Sequence, residues 1–188
     1  MLLDLLFPNR CLSCNRIISG DELICGLCYD KIRFTHWDFG KENLLYEKCK
    51  LLFPIENAFA LMQFEEEGLS RKIIHSLKYG KREKTGKIIA NWITNQIELN
   101  IEKPDLIVTI PLHPKKQKER GYNQLHLFAE TLSDFYDIPI DHQLIKRNFY
   151  KKSQASRTSK DERLISDQLF SLAKPIENKH ILLCDDVF

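Results

Sequence analysis

The spacing of apolar positions changes several times along the chain, and each change predicts an element. Asn57-Ala-Phe-Ala-Leu-Met-Gln-Phe is dense in aromatic and apolar residues and predicts a strand, followed by an acidic turn ending at Gly68. Leu69, Ile73, Ile74 and Leu77 then recur at helical spacing, which predicts a helix from Gly68 to Tyr79 with a basic outer face, ended by Gly80. A second helix is predicted from Lys84 to Leu99, with Ile88, Ile89, Trp92, Ile93 and Ile97 on one side. Asp105-Leu-Ile-Val-Thr-Ile-Pro is a nearly continuous apolar run bounded by prolines, the pattern of a parallel strand covered on both faces. A polar loop follows, then helical periodicity from Asn123 to Phe135, a short strand at Pro139–Ile145, and another buried strand in Lys179-His-Ile-Leu-Leu-Cys-Asp-Asp-Val. Strands alternating with helices predict an open parallel sheet, whose ligands bind beyond the carboxyl ends of the strands.

The chain begins Met1-Leu-Leu-Asp-Leu-Leu-Phe-Pro, read as a short amphipathic helix ending before Pro8. It lacks a basic n-region, and no apolar run is long enough to span a membrane, so a cytoplasmic protein is expected. In a reducing compartment, closely spaced cysteines point to metal more than to disulfides. Cys11, Cys14, Cys25 and Cys28 form C-x2-C-x10-C-x2-C: each pair makes a knuckle with two thiolates aimed at one centre, which suits tetrahedral Zn²⁺. Four thiolates close the site, so its role is to fold a segment too short to bury its own core. Cys49 and Cys184 read as ordinary buried residues. The expected division is 1–34 for N-terminal helix and ribbon and 35–188 for the rest.

The chain has 188 residues and a formal charge of only +2, so the sum excludes nothing, but the distribution is uneven. One basic segment holds Lys78, Lys81 and Arg82, and another runs from Lys146 to Arg163 and includes Lys151 and Lys152. Such segments hold phosphates or nucleic acid, or simply face solvent. Three segments could form one site. Pro111 to Gln124 leaves a buried strand and enters a helix, with His113, Lys115, Lys116, Lys118 and Arg120, Gly121 for close backbone approach, and Asn123 as a cap. Arg147 to Arg163, with Gln154 and Arg157, is too long for a tight connection, as binding loops often are. Asp185 and Asp186 follow a buried strand directly and can meet sugar hydroxyls or Mg²⁺, or cap a helix.

Leu6-Phe-Pro before the four cysteines, Leu77-Lys-Tyr-Gly, Pro111-Leu-His with Arg120-Gly-Tyr-Asn-Gln, Gln154, and Ile181-Leu-Leu-Cys-Asp-Asp-Val occur in an order that resembles the ComF family over nearly the whole chain. The resemblance implies an α/β fold: a four-cysteine zinc ribbon followed by a type I phosphoribosyltransferase-like parallel sheet with helices. It implies a pyrophosphate loop from His113 to Arg120 that also includes Gly121, with Lys116 and Arg120 neutralising a leaving pyrophosphate. A flexible loop would contain Gln154, Arg157 and Arg163. Asp185 and Asp186 would meet the ribose of phosphoribosyl pyrophosphate (PRPP) or its Mg²⁺. The process implied is competence-linked DNA uptake, with single-stranded DNA and the competence machinery as further partners. In the family the acidic pair is followed by a hydrophobic pair, Thr-Thr-Gly and a helix, whereas this sequence stops at Phe188; Ser166 stands where the family usually has Asn. The expectation is therefore a sheet incomplete at its C-terminal end and an inactive chain. The alternatives are a truncated fragment or a non-catalytic nucleic-acid-binding accessory protein.

Overall fold

The computed structural model describes residues 8–40, 42–79, 84–97, 99, 101–148 and 169–188, which fall into two compact units, Met1–Glu102 and Lys103–Phe188. The expected N-terminal helix, Gly80, Lys81, Arg82, Lys151, Lys152, Gln154, Arg157, Arg163 and Ser166 lie outside the described residues.

In the first unit the cysteine knuckles are built by backbone bonds. Asn15 N–H donates to Cys11 O (3.0 Å) and Cys11 N–H to Arg16 O (2.8 Å), closing the first. Cys28 and Tyr29 N–H both donate to Cys25 O (2.9 Å each), closing the second, which opens the four-residue helix α1 (Gly26–Tyr29). Gly20 turns the excursion between them at φ +65°, where a side chain would be strained. A short helix α2 (Leu44–Cys49) follows, capped by the Asn43 side chain, which accepts from Tyr46 N–H at 2.9 Å. Two longer helices, α3 (Leu69–Tyr79) and α4 (Lys84–Thr94), bury Ile73, Leu77, Ile89, Ala90 and Ile93. The ribbon side packs on α4 through Trp92, which meets the Tyr29 ring edge-on at 5.3 Å, and through a Lys84–Asp21 ion pair of 3.0 Å.

The strand expected at Asn57–Phe64 is reduced to isolated antiparallel bridges, Gly40↔Ala58 and Phe34↔Met62. Side chains take over part of its pairing: Asn43 Nδ2 donates to Gly40 O (3.0 Å) and Ala58 O (2.8 Å). That ties the backbones without a ladder.

In the second unit β1 (Leu106–Thr109) is central, and Ile107, Val108 and Thr109 are wholly buried. The chain then forms α5 (Pro114–Arg120) and α6 (His126–Tyr136), and enters β2 (Ile140–Asp141). Where a polar loop was expected, α5 is helical because Pro114 sets its first turn, His113 caps it, and Gly121 closes it at φ +88°. Next come β3 (Ile145–Arg147) and β4 (Phe170–Leu172), an antiparallel pair absent from the expectations, and finally β5 (Ile181–Cys184). The parallel sheet has order β2-β1-β5. From β1 the chain moves to one neighbour and later returns to the other. At such a reversal of strand order, open parallel sheets bind their ligands beyond the carboxyl ends of the strands, here those of β1 and β5. Asp105 pins the opposite ends of these strands: it accepts from Lys179 Nζ at 2.9 Å and from His180 N–H at 2.8 Å, bonds that lower its carboxyl below the usual range.

α6 covers the sheet with Ala129 and Leu132, while Leu125 and Ile138 close its two ends. β5 departs from the expectation of a fully buried strand, since Leu183 is 53% exposed. The two strands should therefore respond differently to truncation. Ile107→Ala should cost about 2–5 kcal/mol, and Leu183→Ala less than about 1 kcal/mol. Urea unfolding followed by circular dichroism measures both, and equal costs would contradict the burial assigned to β5.

Candidate functional sites at the cysteine cluster and the sheet end

Four sulfurs bound at ~2.3 Å to a tetrahedral zinc lie about 3.8 Å apart. Cys14 Sγ and Cys25 Sγ are 3.7 Å apart, and the sulfurs of Cys11, Cys14, Cys25 and Cys28 all lie within 4.8 Å of one another. The donor set is four soft thiols, three of them in buried residues, so the cluster fits a structural zinc centre. Burial opposes ionisation of Cys11, but backbone amides of Cys14, Cys25 and Ser13 donate to its sulfur and bring the thiol down to about 6. The Cys28 amide donates to Cys25, yet burial and the neighbouring thiols push that group up to about 11. Burial and the neighbouring thiols thus oppose ionisation of Cys25, which a bound cation would offset.

The second candidate lies at the carboxyl ends of β1 and β5. Thr109 pairs with Cys184, and Ile110 N–H donates to Cys184 O at 3.1 Å, so the chain leaves both strands side by side towards Pro111 and Asp185. Buried Asn123 holds the return from α5. Its Nδ2 donates to Ile110 O (3.4 Å) and its Oδ1 accepts from Leu125 N–H (3.0 Å). Asn123 is thus not the expected helix cap: α6 starts at His126 with Leu125 as its N-cap and no side-chain cap bond, and Asn123 closes the turn ahead of it. His113 accepts from Lys115 N–H at 3.1 Å, and Lys115 and Lys116 are exposed on the first turn of α5. Arg120, half-buried at the last turn, donates to Gln124 Oε1, and Gln124 Nε2 donates to Asp186 Oδ2 at 2.7 Å. Asp185 Oδ1 accepts from Asp186 N–H at 2.7 Å. Arg120 and Asp186 are therefore joined through one amide. Gln124 has no role that the sequence alone assigns, although it stands four residues after a cation and directly before the apolar stripe of α6.

Cys184 lies beneath this site, its thiol pushed up to about 12 by burial and by Asp185. That keeps it protonated and unreactive. On the other side of β1, His142 Nδ1 lies 3.2 Å from Thr109 Oγ1, and His142 Nε2 lies 3.3 Å from Glu130 Oε1. The His126 ring stacks on His142 at 3.9 Å, and burial followed by the charge of His142 lowers its pKa. The nucleic-acid candidate Lys78 belongs to the first unit, half-buried on α3.

Residues 2–39 match a family model described as a double zinc ribbon domain. The chain is 22% identical over 182 residues to the DNA utilization protein YhgH of Escherichia coli O157:H7, covering 94% of this chain and 77% of that protein. It is 39% identical over 88 residues to the competence protein ComFC of Bacillus subtilis, covering 46% of this chain and 34% of that protein. It is 34% identical over 97 residues to competence protein F of Haemophilus influenzae, covering 50% of this chain and 41% of that protein. No solved structure matches the chain significantly. Among the described residues, no helix is long and apolar enough to cross a membrane.

Binding zinc at pH 7 must displace the proton held by Cys25, and below about pH 6 that of Cys11 as well. Zinc affinity should therefore fall on acidification, by roughly tenfold or more per pH unit, and more steeply below pH 6. Calorimetry in two buffers of different ionisation enthalpy reads the proton release. Uptake at pH 7 with no released proton would contradict the assignment, as would a ribbon that keeps its amide protection after chelation.

Proposed function

The chain belongs to the ComF family, and from that premise we propose that its second unit binds PRPP at the carboxyl ends of β1 and β5, in a cytoplasmic, competence-linked role. The observation that carries the reading is the Arg120–Gln124–Asp186 chain of hydrogen bonds, which brings a cation from the basic segment and a carboxylate from the acidic pair to one end of the sheet. Type I phosphoribosyl transfer breaks the bond from the sugar's anomeric carbon to pyrophosphate through an oxocarbenium-like state. Its main requirement is stabilisation of charge on the leaving group. Arg120, with Lys115 and Lys116, supplies the cationic side, and Asp185 and Asp186 supply acceptors for ribose hydroxyls. The two carboxylates are hard oxygen donors of the kind Mg²⁺ takes together with substrate phosphates. Bound there, Mg²⁺ would neutralise pyrophosphate charge. The competence and DNA-utilization names of the relatives support the cellular role.

Titration of PRPP with Mg²⁺ into the zinc-loaded chain should give saturable heat. Arg120→Ala and Asp186→Asn should each weaken binding roughly tenfold or more, the scale of a lost charge-assisted hydrogen bond. No heat with the unsubstituted chain would sink the reading.

A second reading, single-stranded DNA binding, is favoured by one face of α3. Arg71, Lys72 and His75 line a cleft of about 620 Å³ with Leu12 of the first cysteine knuckle. Tyr79 is 59% exposed, with its ring 4.8 Å from that of His75. Exposed cations beside an aromatic face suit phosphates and stacked bases, although Glu66 and Glu67 at the same cleft oppose them. Mobility shifts with an oligonucleotide should weaken steeply with salt and with Arg71→Ala or Tyr79→Ala. No retardation at low salt would exclude this reading.

A further inference from the structure

We infer that Gln124 is a positioning residue of the sheet-end site, fixing the spacing between Arg120 and Asp186 by bonding both. The inference rests on the PRPP reading for its substrate, but its geometry stands on the chain alone. Gln124 is 6% exposed, and both ends of its amide are engaged. A guanidinium offers only donors and a carboxylate only acceptors. The amide therefore has one orientation, Oε1 towards Arg120 and Nε2 towards Asp186. A buried amide with both ends used holds its place, because rotating it would leave a donor and an acceptor unpaired.

The backbone around it is equally constrained. Gly121 turns the chain out of α5 at φ +88°, Asn123 ties that turn to Ile110 O, and Leu125 is buried at the start of α6. Gln124 sits between these anchors, so its side chain reads the position of β5's exit relative to α5. Arg120 comes from the basic segment after β1 and Asp186 from the turn after β5, 66 residues later in the sequence. One neutral side chain thus registers the two halves of the site. Neither half can move without breaking a partly buried hydrogen bond.

Gln124→Leu removes both polar ends at nearly constant size. Gln124→Glu keeps an acceptor for Arg120 but sets a carboxylate against Asp186. Both should weaken PRPP binding roughly tenfold or more, with Glu the worse. A merely structural role would do this through stability alone, so the decisive readout is coupling. In the unsubstituted chain the losses from Arg120→Ala and Asp186→Asn should be less than multiplicative, and in the Gln124→Leu background they should simply multiply. Binding by Gln124→Leu within about twofold of the unsubstituted chain overturns the inference, as does coupling that survives in that background.

Hydrogen exchange of the Gln124 side-chain amide, read by NMR on the ligand-free unsubstituted chain, decides the geometry even if PRPP does not bind or the leucine variant does not fold. Protection that is lost in both Asp186→Ala and Arg120→Ala supports the positioning role. An amide that exchanges freely in the unsubstituted chain overturns it. Protection without PRPP binding would retain the relay and remove only its proposed substrate.

Discussion

Parallel pairing between β1 and β5 governs what the second unit can do, because it decides which distant segments end up adjacent. Registering Thr109 with Cys184 aligns the last residue of one strand with the last of the other. A parallel ladder has all its strand exits at one end, so the residues after Thr109 and after Cys184 emerge together. In this register, Ile110 N–H donating to Cys184 O extends the pairing one step beyond the strand. A slip of β5 by one residue would exchange the buried Cys184 with the exposed Leu183 and carry Asp185 away from the basic segment. The burial of Ile107 and Val108 and the Asp105 bonds at the far end thus maintain the site as much as the fold.

The ribbon relies on a different source of rigidity. Its knuckles bury few apolar groups of their own, chiefly Leu23, Ile24 and Ile32, and the sulfurs repel one another when ionised. A divalent cation resolves that repulsion and cross-links Cys11–Cys14 to Cys25–Cys28, so metal binding and local folding become one equilibrium. Its soft thiolates favour zinc over hard, oxygen-preferring cations.

How much of this is legible in the sequence depends on whether one residue type determines the outcome. The continuous apolar run at Leu106–Thr109, the helical stripe of α3 and the double cysteine knuckle each specify their element locally. α5 reads as a loop because no residue from Pro114 to Lys118 faces a core, and its helicity comes entirely from Pro114, the His113 cap and Gly121. The hairpin of β3 and β4 is invisible for a related reason: its strands are three residues each and lie at either end of a basic segment. The segment Ala58–Met62 shows the converse, apolar enough for a strand but paired only through isolated bridges, with Asn43 bonding Ala58 O. Gln124 escapes a reading of the sequence because its partners are Arg120 and a residue 62 positions away, and nothing in local spacing reports such a contact.

Joining Arg120 and Asp186 through an amide has an electrostatic consequence. A directly paired, buried guanidinium and carboxylate spend their charges on each other, and desolvation consumes much of the gain. Gln124 carries no net charge, so it can satisfy one hydrogen-bonding direction of each group without neutralising either. An anionic group approaching from Arg120's side and hydroxyls approaching from Asp186's side would then meet charges already held in place. Because the two groups are already oriented, further hydrogen bonds to them require little reorganisation. The buried amide therefore provides the link between the fold and any chemistry at this end of the sheet, since it converts the strand register into a fixed separation of opposite charges.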